Sequence, residues 1–433
     1  MQLVNWSKLD DFGQTRIFAR NQASGDLNLA DTVSEIIKNV RNNGDKSLFE
    51  YSAKFDKVIL ESLEVQDSEY NTANSLPGKY KNAIISAYEN IRHYHNISCP
   101  KEFSYSKDGI KLGKIYRPIE KVGLYIPGGT ATLVSTLMML SIPAQIAGCD
   151  QRILVTPPMK DGLISPAILF AARQCKIDKI YKVGGAQAIA ALAYGTESIP
   201  KVHKIFGPGN KYVTEAKQQV SVSSSATSID MPAGPSEVLV IADKNGNPKF
   251  IASDLLAQAE HDIESQVIFV TQCETLAKQV LEEVSFQQQK LSRNAIIKQS
   301  LQKSAIIIAN SLEECFDISN RYAPEHLILH LDDAEKYLDL VKNAGSVFVG
   351  QWSPESAGDY ASGTNHVLPT YGYANMYSGL DVISFMKAIS FQNLSVEGLM
   401  HIGSTIENLA ELEGLDAHKN AVTVRLAELN KRN

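Results

Sequence analysis

The sequence predicts an α/β protein in which parallel sheets are covered by helices on both faces. From about Lys121 to Gly350, short apolar runs rich in β-branched residues alternate with helical stretches. The runs are apolar throughout rather than alternating with polar residues, which is typical of strands buried on both faces. The chain has 433 residues, more than one ordinary core accommodates. We therefore expect two α/β domains.

Nine segments in this region are predicted to be strands, more than a sheet of typical size contains. They are short, and most are bounded by Gly, Pro or polar residues. The predicted strands are Val122–Ile126, Arg152–Thr156, Lys179–Val183, Val202–Phe206, Glu237–Ala242, Gln266–Thr271, Ser304–Ala309, Leu327–Leu331 and Ser346–Val349.

Helical patterns dominate both ends of the chain. In the first hundred residues they include Leu29–Val40 and Gly78–His95, and a last helix is predicted over Asp416–Asn430. In that last helix, apolar residues recur at i, i+4 and i+7 from Val422, which predicts one buried stripe.

Composition and charge exclude several classes of protein. The net charge is −6, which argues against nucleic acid as a partner because phosphate binding needs clustered Lys and Arg. Five scattered cysteines form no C-x-x-C motif, so we expect neither a disulfide framework nor a thiolate zinc site. The N-terminal segment MQLVNWSKLDDF does not resemble a signal peptide. A reducing cytoplasm fits these features.

The stretch between Lys121 and Asp150 contains no charged residue and is long enough to span a membrane. Prolines, glycines and several hydroxyl side chains interrupt it. We therefore predict a buried strand, a glycine turn and a buried helix there, with no membrane partner.

Three glycine-rich turns follow predicted strands and precede helices, at Tyr125–Gly129, Val183–Gln187 and Phe206–Asn210. Such turns expose backbone N–H groups that can hold a phosphate. The full dinucleotide fingerprint G-x-G-x-x-G is absent, because Tyr212 stands where its last glycine belongs. Taken alone, the three loops are better explained as ordinary tight turns that close β–α units.

Several polar residues are candidates for metal binding. Gln258 and His261 lie three positions apart in a predicted helix, so they share one face and can converge on an ion. Asp359 lies in a predicted loop, and His418 lies just inside the last helix after a predicted Asp416 cap. A polar helix face, a turn aspartate and a surface histidine explain the same residues.

Glu325 and His326 are a candidate acid–base pair, since they directly precede a predicted strand. Adjacent side chains on a regular strand point apart. A turn after Pro324 would direct both into one cleft, where His326 suits general base work near neutral pH. A solvated Glu–His pair is the alternative.

Taken together, the motifs resemble the histidinol dehydrogenase family. They occur in the family's order between residues 122 and 425. The matching segments are VGLYIPGG, VGGAQAIAAL, KIFGPGNKYVTEAK, IDMPAGPSEVLVIAD, SDLLAQAEHD, RYAPEHL, SAGDYASGTNHVLPTYGYA and LEGLDAHKNAVTVR.

The resemblance implies a role for each matching residue. It implies one zinc ion per subunit, with Gln258, His261, Asp359 and His418 as ligands, and Glu325 and His326 as the catalytic pair. The implied contacts of NAD⁺ are Tyr125, Gln187 and Asn210. The implied contacts of L-histidinol are Ser236, Gln258, His261, His326, Asp359, Glu413 and His418.

The resemblance also implies the architecture and the reaction. It implies two related, incomplete dinucleotide-binding-type (Rossmann-like) domains with small helical terminal domains, in a cytoplasmic homodimer with shared active sites. The expected divisions are an arm at 1–22, a first α/β domain at 23–124 and 237–378, a second at 125–236, and a dimerisation domain at 379–433. The implied reaction is the four-electron oxidation of L-histidinol with two NAD⁺, the last step of histidine biosynthesis.

Other functions remain open at this point. The nearest is a related zinc and NAD dehydrogenase that oxidises another small alcohol, although Glu413 and His418 favour histidinol. A zinc hydrolase using Glu325 leaves the three glycine loops unexplained. A metal-binding protein without catalytic activity would bind zinc and show no turnover.

Overall fold

The computed structural model describes residues 1–20, 27–128, 133–177, 179–223, 227–231 and 234–431. The chain divides into two compact units. The first comprises Met1–Ser98 and Ile119–Phe385, and the second comprises Cys99–Pro118 and Met386–Asn433. Gly129, the last residue of the first glycine turn, lies outside the described residues.

Both units contain strands, and through most of the first unit these alternate with helices. The strands are β1 (Gln2–Asn5), β2 (Phe103–Lys107), β3 (Ile110–Pro118), β4 (Lys121–Tyr125), β5 (Gln151–Thr156), β6 (Lys179–Lys182), β7 (Lys204–Phe206), β8 (Ser228–Ile229), β9 (Glu237–Ala242), β10 (Gln266–Thr271), β11 (Ala305–Ile308), β12 (His326–His330), β13 (Ser346–Val349) and β14 (Met386–Leu394).

Helices cover the sheets and form much of both ends of the chain. The α-helices are α1 (Asp11–Ile17), α2 (Leu27–Tyr51), α3 (Asp67–Tyr70), α4 (Gly78–Ser98), α5 (Val134–Ala147), α6 (Pro166–Gln174), α7 (Gly185–Tyr194), α8 (Lys211–Ser221), α9 (Pro248–Ala259), α10 (Glu274–Gln288), α11 (Asn294–Ser300), α12 (Leu312–Tyr322), α13 (Glu355–Tyr360), α14 (Val396–Leu412) and α15 (Asp416–Asn430).

A six-stranded parallel sheet is the larger of the two sheets in the first unit, with strand order β1-β11-β10-β9-β12-β13. In β9, Val238 and Val240 pack into one apolar cluster, whereas Leu239 and Ile241 pack into another. Since alternate residues of a strand point to opposite faces, both faces of this sheet are buried. The continuous apolar runs in the sequence therefore correctly predicted strands that are buried on both faces.

The second parallel sheet has the order β6-β5-β4-β7-β8. Helix α2 packs against α7 and α8 beside this sheet. Val33 of α2 is fully buried in the same cluster as Ile189 of α7 and Val155 of β5. The N-terminal helical region therefore supplies part of the core of the five-stranded sheet.

All nine predicted strands are present, with ends that differ by at most two residues. The prediction missed β1 and β8, because β1 is a partly exposed edge strand and β8 has only two residues. Within Lys121–Asp150, β4 and α5 form as predicted. Of the helices in the described part of the chain, none combines the length and apolar character that a membrane crossing requires.

The second unit contains an antiparallel sheet of order β14-β3-β2, together with the helix pair α14 and α15. The sequence did not predict this sheet, because its strands are largely exposed and polar. The predicted helix Asp416–Asn430 is confirmed. Its stripe is narrower than expected, since Val422 is buried while Leu426 is only partly buried.

Candidate active site

A cluster of ionisable side chains lies at the amino ends of two neighbouring strands in the six-stranded sheet. Glu237 is the first residue of β9, and His326 is the first residue of β12, its parallel neighbour. Glu325 immediately precedes β12, and its Oε2 accepts a hydrogen bond of 2.8 Å from the backbone N–H of Glu237. All three are buried, so the fold places three titratable groups away from solvent at one sheet edge.

His326 is held by its Nδ1 atom, which lies 3.1 Å from the backbone oxygen of Glu237. A carbonyl oxygen only accepts, so Nδ1 carries the proton in this hydrogen bond. The Nε2 atom is buried and has no hydrogen-bond partner in the part of the chain that the structure describes. It lies 3.6 Å from Oδ1 of Asp359. Nε2 is therefore the ring atom that remains for a substrate.

Carboxylates surround this ring. Burial acts to lower the pKa of His326, but the charges of Glu355 and Glu325 raise it well above its ordinary value. Burial raises the pKa of Glu355 well above its usual range. Burial likewise raises the pKa of Asp359, but the nearby charge of His326 outweighs this effect and lowers it. The cluster therefore has an excess of negative charge, which favours a bound cation.

Glu237 is anchored by Arg20. The Nε and Nη2 atoms of Arg20 donate to the two carboxylate oxygens of Glu237 at 2.5 and 3.0 Å. Burial raises the pKa of Glu237 to about 7, although the charge of Arg20 opposes this. This two-bond ion pair fixes the start of β9, on which both Glu325 and His326 depend.

The chemistry of the donor set fits zinc. His326, Glu355 and Asp359 each place one ligand atom within 4.8 Å of the others. The amide of Gln258 is fully buried beside them. With this amide oriented to satisfy both neighbours, it donates to Glu355 and its oxygen accepts from the Glu237 N–H at 2.9 Å. Imidazole, carboxylate and oxygen donors are suitable zinc ligands.

Two of the local structures expected around these residues are corrected. The helix expected to include both Gln258 and His261 ends at Ala259, because Asp262 forms a turn in which its Oδ1 accepts from the Glu264 N–H. His261 is exposed just beyond this end, and its charge acts on Asp359. Asp359 lies in the short helix α13 rather than in a loop.

The remaining predicted substrate residues lie in different parts of the chain. Ser236 is partly buried and directly precedes β9. Glu413 and His418 are exposed residues of the second unit. Glu413 caps the end of α14, while Leu415, not Asp416, occupies the position that caps α15. The participation of Glu413 and His418 in the site stays a prediction.

The sequence reading missed four residues of the cluster, for which only weak signals exist. Glu355 precedes Asp359 by one helical turn, a spacing that places two carboxylates on one face. Glu237 is a charge at the start of an otherwise apolar strand. His366 follows Asp359 by seven residues, and its Nδ1 lies 3.0 Å from the Asp359 backbone oxygen. For Arg20 we find no sequence signal that predicts its partner.

A cavity of about 570 Å³ lies at the carboxyl ends of the strands of the five-stranded sheet. The three residues predicted to bind NAD⁺ all line it. Its other polar and small lining residues include Asp56, and apolar side chains form much of its wall. The lining residues are Thr32, Ile36, Phe55, Asp56, Tyr125, Pro127, Gly128, Thr156, Pro157, Pro158, Met159, Ile164, Ser165, Ile168, Gly185, Ala186, Gln187, Asn210 and Tyr212.

Two helices begin at this cavity and differ in their capping. The side chain of Asn210 accepts from the backbone N–H groups of Tyr212 and Val213, which caps α8. No side chain caps α7, although the Gly185 N–H donates to the Tyr125 hydroxyl at 3.2 Å. The start of α7 is thus the better place for a phosphate group.

Known proteins of one family are similar to this chain over almost its whole length. The sequence model of the family described as histidinol dehydrogenase matches residues 19–426. A histidinol dehydrogenase from Vibrio vulnificus (strain CMCP6) is 51% identical over 434 residues, covering 100% of both chains. One from Yersinia pestis is 49% identical, covering 99% of this chain and 96% of its relative.

Two further proteins are similar to this chain over 99% of its length. The chain spans 53% of a bifunctional histidine-biosynthesis protein from Photorhabdus laumondii, to which it is 50% identical over 430 residues. The crystal structure of histidinol dehydrogenase from Elizabethkingia anophelis matches with a TM-score of 0.95 and 47% identity, covering 99% of each chain. The chain therefore belongs to the histidinol dehydrogenase family.

Proposed function

We propose that this chain oxidises L-histidinol to L-histidine through histidinal, with two NAD⁺ as hydride acceptors. Membership of the family makes it an NAD-dependent oxidoreductase of histidine biosynthesis. The single observation that carries the proposed chemistry is the buried Nε2 atom of His326, which has no hydrogen-bond partner among the described residues. Such an atom is suited to take a proton from a substrate hydroxyl once a bound cation offsets the charges of Glu355 and Glu325, which otherwise raise the pKa of His326.

The reaction needs two proton-coupled hydride transfers and one addition of water. In the first oxidation, His326 takes the hydroxyl proton as the adjacent carbon loses a hydride. Glu325 then takes a proton from the water that adds to the aldehyde, while His326 returns its proton to the aldehyde oxygen and can act as a base again. In the second oxidation, His326 takes a proton from the resulting hydrate as the second hydride leaves. Glu325 and His326 both hydrogen-bond to the backbone of Glu237. This shared partner supports the proposal that the two side chains act on the same bound substrate.

We assign the zinc site to Gln258, His261, Asp359 and His418. The burial of Gln258 supports its part in this assignment, and Asp359 belongs to a group of three side chains, with His326 and Glu355, that could hold a metal ion. In the proposed site, His326 of that group stays free to act as the base. When bound, the metal would hold the nitrogen atoms of the substrate and orient its alcohol carbon. Ser236 and Glu413 complete the proposed substrate site. Glu355, which receives the Gln258 amide, would hold that side chain in place.

The cavity of the five-stranded sheet is the proposed site of NAD⁺. Tyr125, Gln187 and Asn210 line it together, and its volume lies in the range of small-molecule pockets. The hydroxyl oxygen of Tyr125 already accepts from Gly185, so its proton is available to the cofactor. We further propose a cytoplasmic homodimer in which residues 379–433 of one subunit reach the active site of the other.

The direct test of this proposal is NADH formation by the purified, zinc-loaded chain. We expect two NADH per L-histidine formed from L-histidinol, and no comparable turnover of an aliphatic amino alcohol such as leucinol. Turnover of leucinol at the same rate would identify a dehydrogenase of broader specificity. Zinc binding without any NAD⁺ reduction would favour a hydrolase or a protein that only binds metal.

The metal assignment has its own test. We expect a chelator to abolish turnover and added zinc to restore it. Asp359→Asn should lower the zinc content after gel filtration, whereas Asp339→Asn, which removes an exposed carboxylate, should retain it. Full activity in metal-free protein would contradict the assignment.

A further inference from the structure

Asp56 lines the NAD⁺ cavity, although no sequence motif pointed to it. It is the last residue of a π-helical turn, Ser52–Asp56, and the left-handed residue Lys57 follows it. Its Oδ2 atom is buried and has no hydrogen-bond partner in the part of the chain that the structure describes. The Lys57 ammonium donates to the Lys54 backbone oxygen, and no described Lys or Arg forms an ion pair with Asp56.

A carboxylate in this position is costly unless a ligand satisfies it. Burying an acceptor without a partner disfavours the charged form, and burial raises the pKa of Asp56 to about 6. Tyr125 lies close enough for the charge of Asp56 to raise the pKa of its hydroxyl. The same cavity thus contains an acceptor without a donor, beside a proposed cofactor contact.

The wall around Asp56 fits the adenosine half of a dinucleotide. Phe55 precedes it, and the loop after β5 lies against the segment that follows it, since a Cβ at Gly162 would be 3.3 Å from Val58. Met159 and Ile164 of that loop line the cavity as apolar surface, which suits a purine ring. The uncapped start of α7 offers a phosphate position in the same cavity, and a dinucleotide that used both features would have its adenosine ribose between them.

We infer that Asp56 binds the hydroxyl groups of the adenosine ribose and thereby selects NAD⁺ over NADP⁺. This inference rests on the proposed function of the cavity. A carboxylate accepts two hydroxyl donors from a ribose but repels a 2′-phosphate. Among the described residues that line the cavity there is no Lys or Arg to neutralise such a phosphate. Unlike the acidic residue of the Rossmann fingerprint, Asp56 comes from outside the sheet.

The test measures binding rather than turnover, using the zinc-loaded full chain. Dissociation constants for NAD⁺, NADP⁺ and 2′-deoxy-NAD⁺ are obtained by calorimetry for the wild type and for Asp56→Asn. We expect the wild type to bind 2′-deoxy-NAD⁺ about tenfold more weakly than NAD⁺. The Asp56→Asn variant should bind NAD⁺ about tenfold more weakly than the wild type, and NADP⁺ more tightly. It should bind NAD⁺ and 2′-deoxy-NAD⁺ with equal dissociation constants.

The matched control is Glu61→Gln, which removes an exposed carboxylate five residues further along the chain and should change none of these constants. Unchanged constants in Asp56→Asn would overturn the inference and leave the proposed function intact. A wild type that binds no dinucleotide would overturn both. If Asp56→Asn does not fold, the 2′-deoxy comparison on the wild type still decides, and equal affinities would contradict the inference.

Discussion

At the scale of single residues, the adjacency of Glu325 and His326 presented a conflict that the turn before β12 resolves. Ala323 ends α12 in the left-handed conformation, and Glu325 falls just outside the strand. The alternation rule therefore does not separate the two side chains. Glu325 accepts a hydrogen bond from the backbone N–H of Glu237, and His326 Nδ1 donates one to the backbone oxygen of Glu237. The sequence predicted this pair but not the residue that holds it.

The two residues are expected to affect different steps. His326→Asn removes the base for both hydride transfers, so oxidation of histidinol and of histidinal should both slow, by roughly a hundred- to ten-thousand-fold. Glu325→Gln keeps the shape but removes the carboxylate that activates water, so it should slow histidinal oxidation much more than histidinol oxidation. Single-turnover kinetics with each substrate, at saturating NAD⁺ and zinc, separates the steps.

Equal losses at both steps for Glu325→Gln would show that the residue is not specific to hydration. If His326→Asn oxidised both substrates at the wild-type rate, His326 would not be the base. The zinc content of both variants serves as the control, because a lost metal would slow every step alike.

Charged residues such as Glu355 and Arg20 lay beyond prediction from the sequence. Their importance depends on contacts made across the fold, as in the ion pair of Arg20 with Glu237, 217 positions away. A single charge in a helix or loop has the same sequence pattern whether it is solvated or buried. Residues in motifs were identifiable because several lay close together in the chain, and these residues did not.

At the scale of elements, the proposed sites lie at opposite strand ends in the two parallel sheets. The proposed cofactor cavity lies at the carboxyl ends of β4, β5 and β6, as expected for open α/β sheets. The proposed catalytic cluster lies instead at the amino ends of β9 and β12. The strands themselves were predictable from their apolar runs. The end of the strands at which each proposed site lies was not predictable, because an apolar strand pattern does not indicate which end of a strand faces a site.

Gly207, in the glycine turn after β7, is expected to tolerate no larger residue, because a side chain there would collide with a neighbouring backbone as well as require a positive φ. Gly207 has φ +126°, and a Cβ there would lie 2.1 Å from the Tyr125 backbone oxygen. Gly350 also has positive φ, +88°, but has open space around it. We expect Gly350→Ala to cost about 1 kcal/mol and Gly207→Ala about 3 kcal/mol or more.

Thermal denaturation of the two alanine variants, each saturated with zinc, compares these costs. Gly207→Ala should also weaken NAD⁺ binding, because the backbone of Tyr125 must move. Equal losses of stability in the two variants would show that backbone conformation, and not the contact with Tyr125, sets the cost.

At the scale of the whole molecule, the proposed shared active site joins residues that are distant in the chain. His261 belongs to the first unit and His418 to the second. If His418 comes from the partner subunit, a His418→Ala chain mixed with a His261→Ala chain yields heterodimers in which one of the two sites is intact. Co-expression with two different affinity tags isolates those heterodimers, and their activity should recover to about half of the wild type.

The two homodimeric variants, each purified alone, are the controls and should remain inactive. Heterodimers that form but stay inactive would show that each site is built from a single chain. A species of monomer mass in light scattering of the wild type would contradict the dimer itself.

Strand β1 has a consequence for how the chain is made. It pairs in parallel with β11, about 300 residues later in the sequence. At ribosomal speeds of about 5 to 20 residues per second, roughly 15 to 60 s pass between the emergence of one strand and the other. Arg20 likewise cannot form its ion pair until Glu237 has been synthesised. Strand β1 thus leaves the ribosome well before β11 and lacks this pairing partner throughout that interval, when it is most exposed to chaperones and proteases.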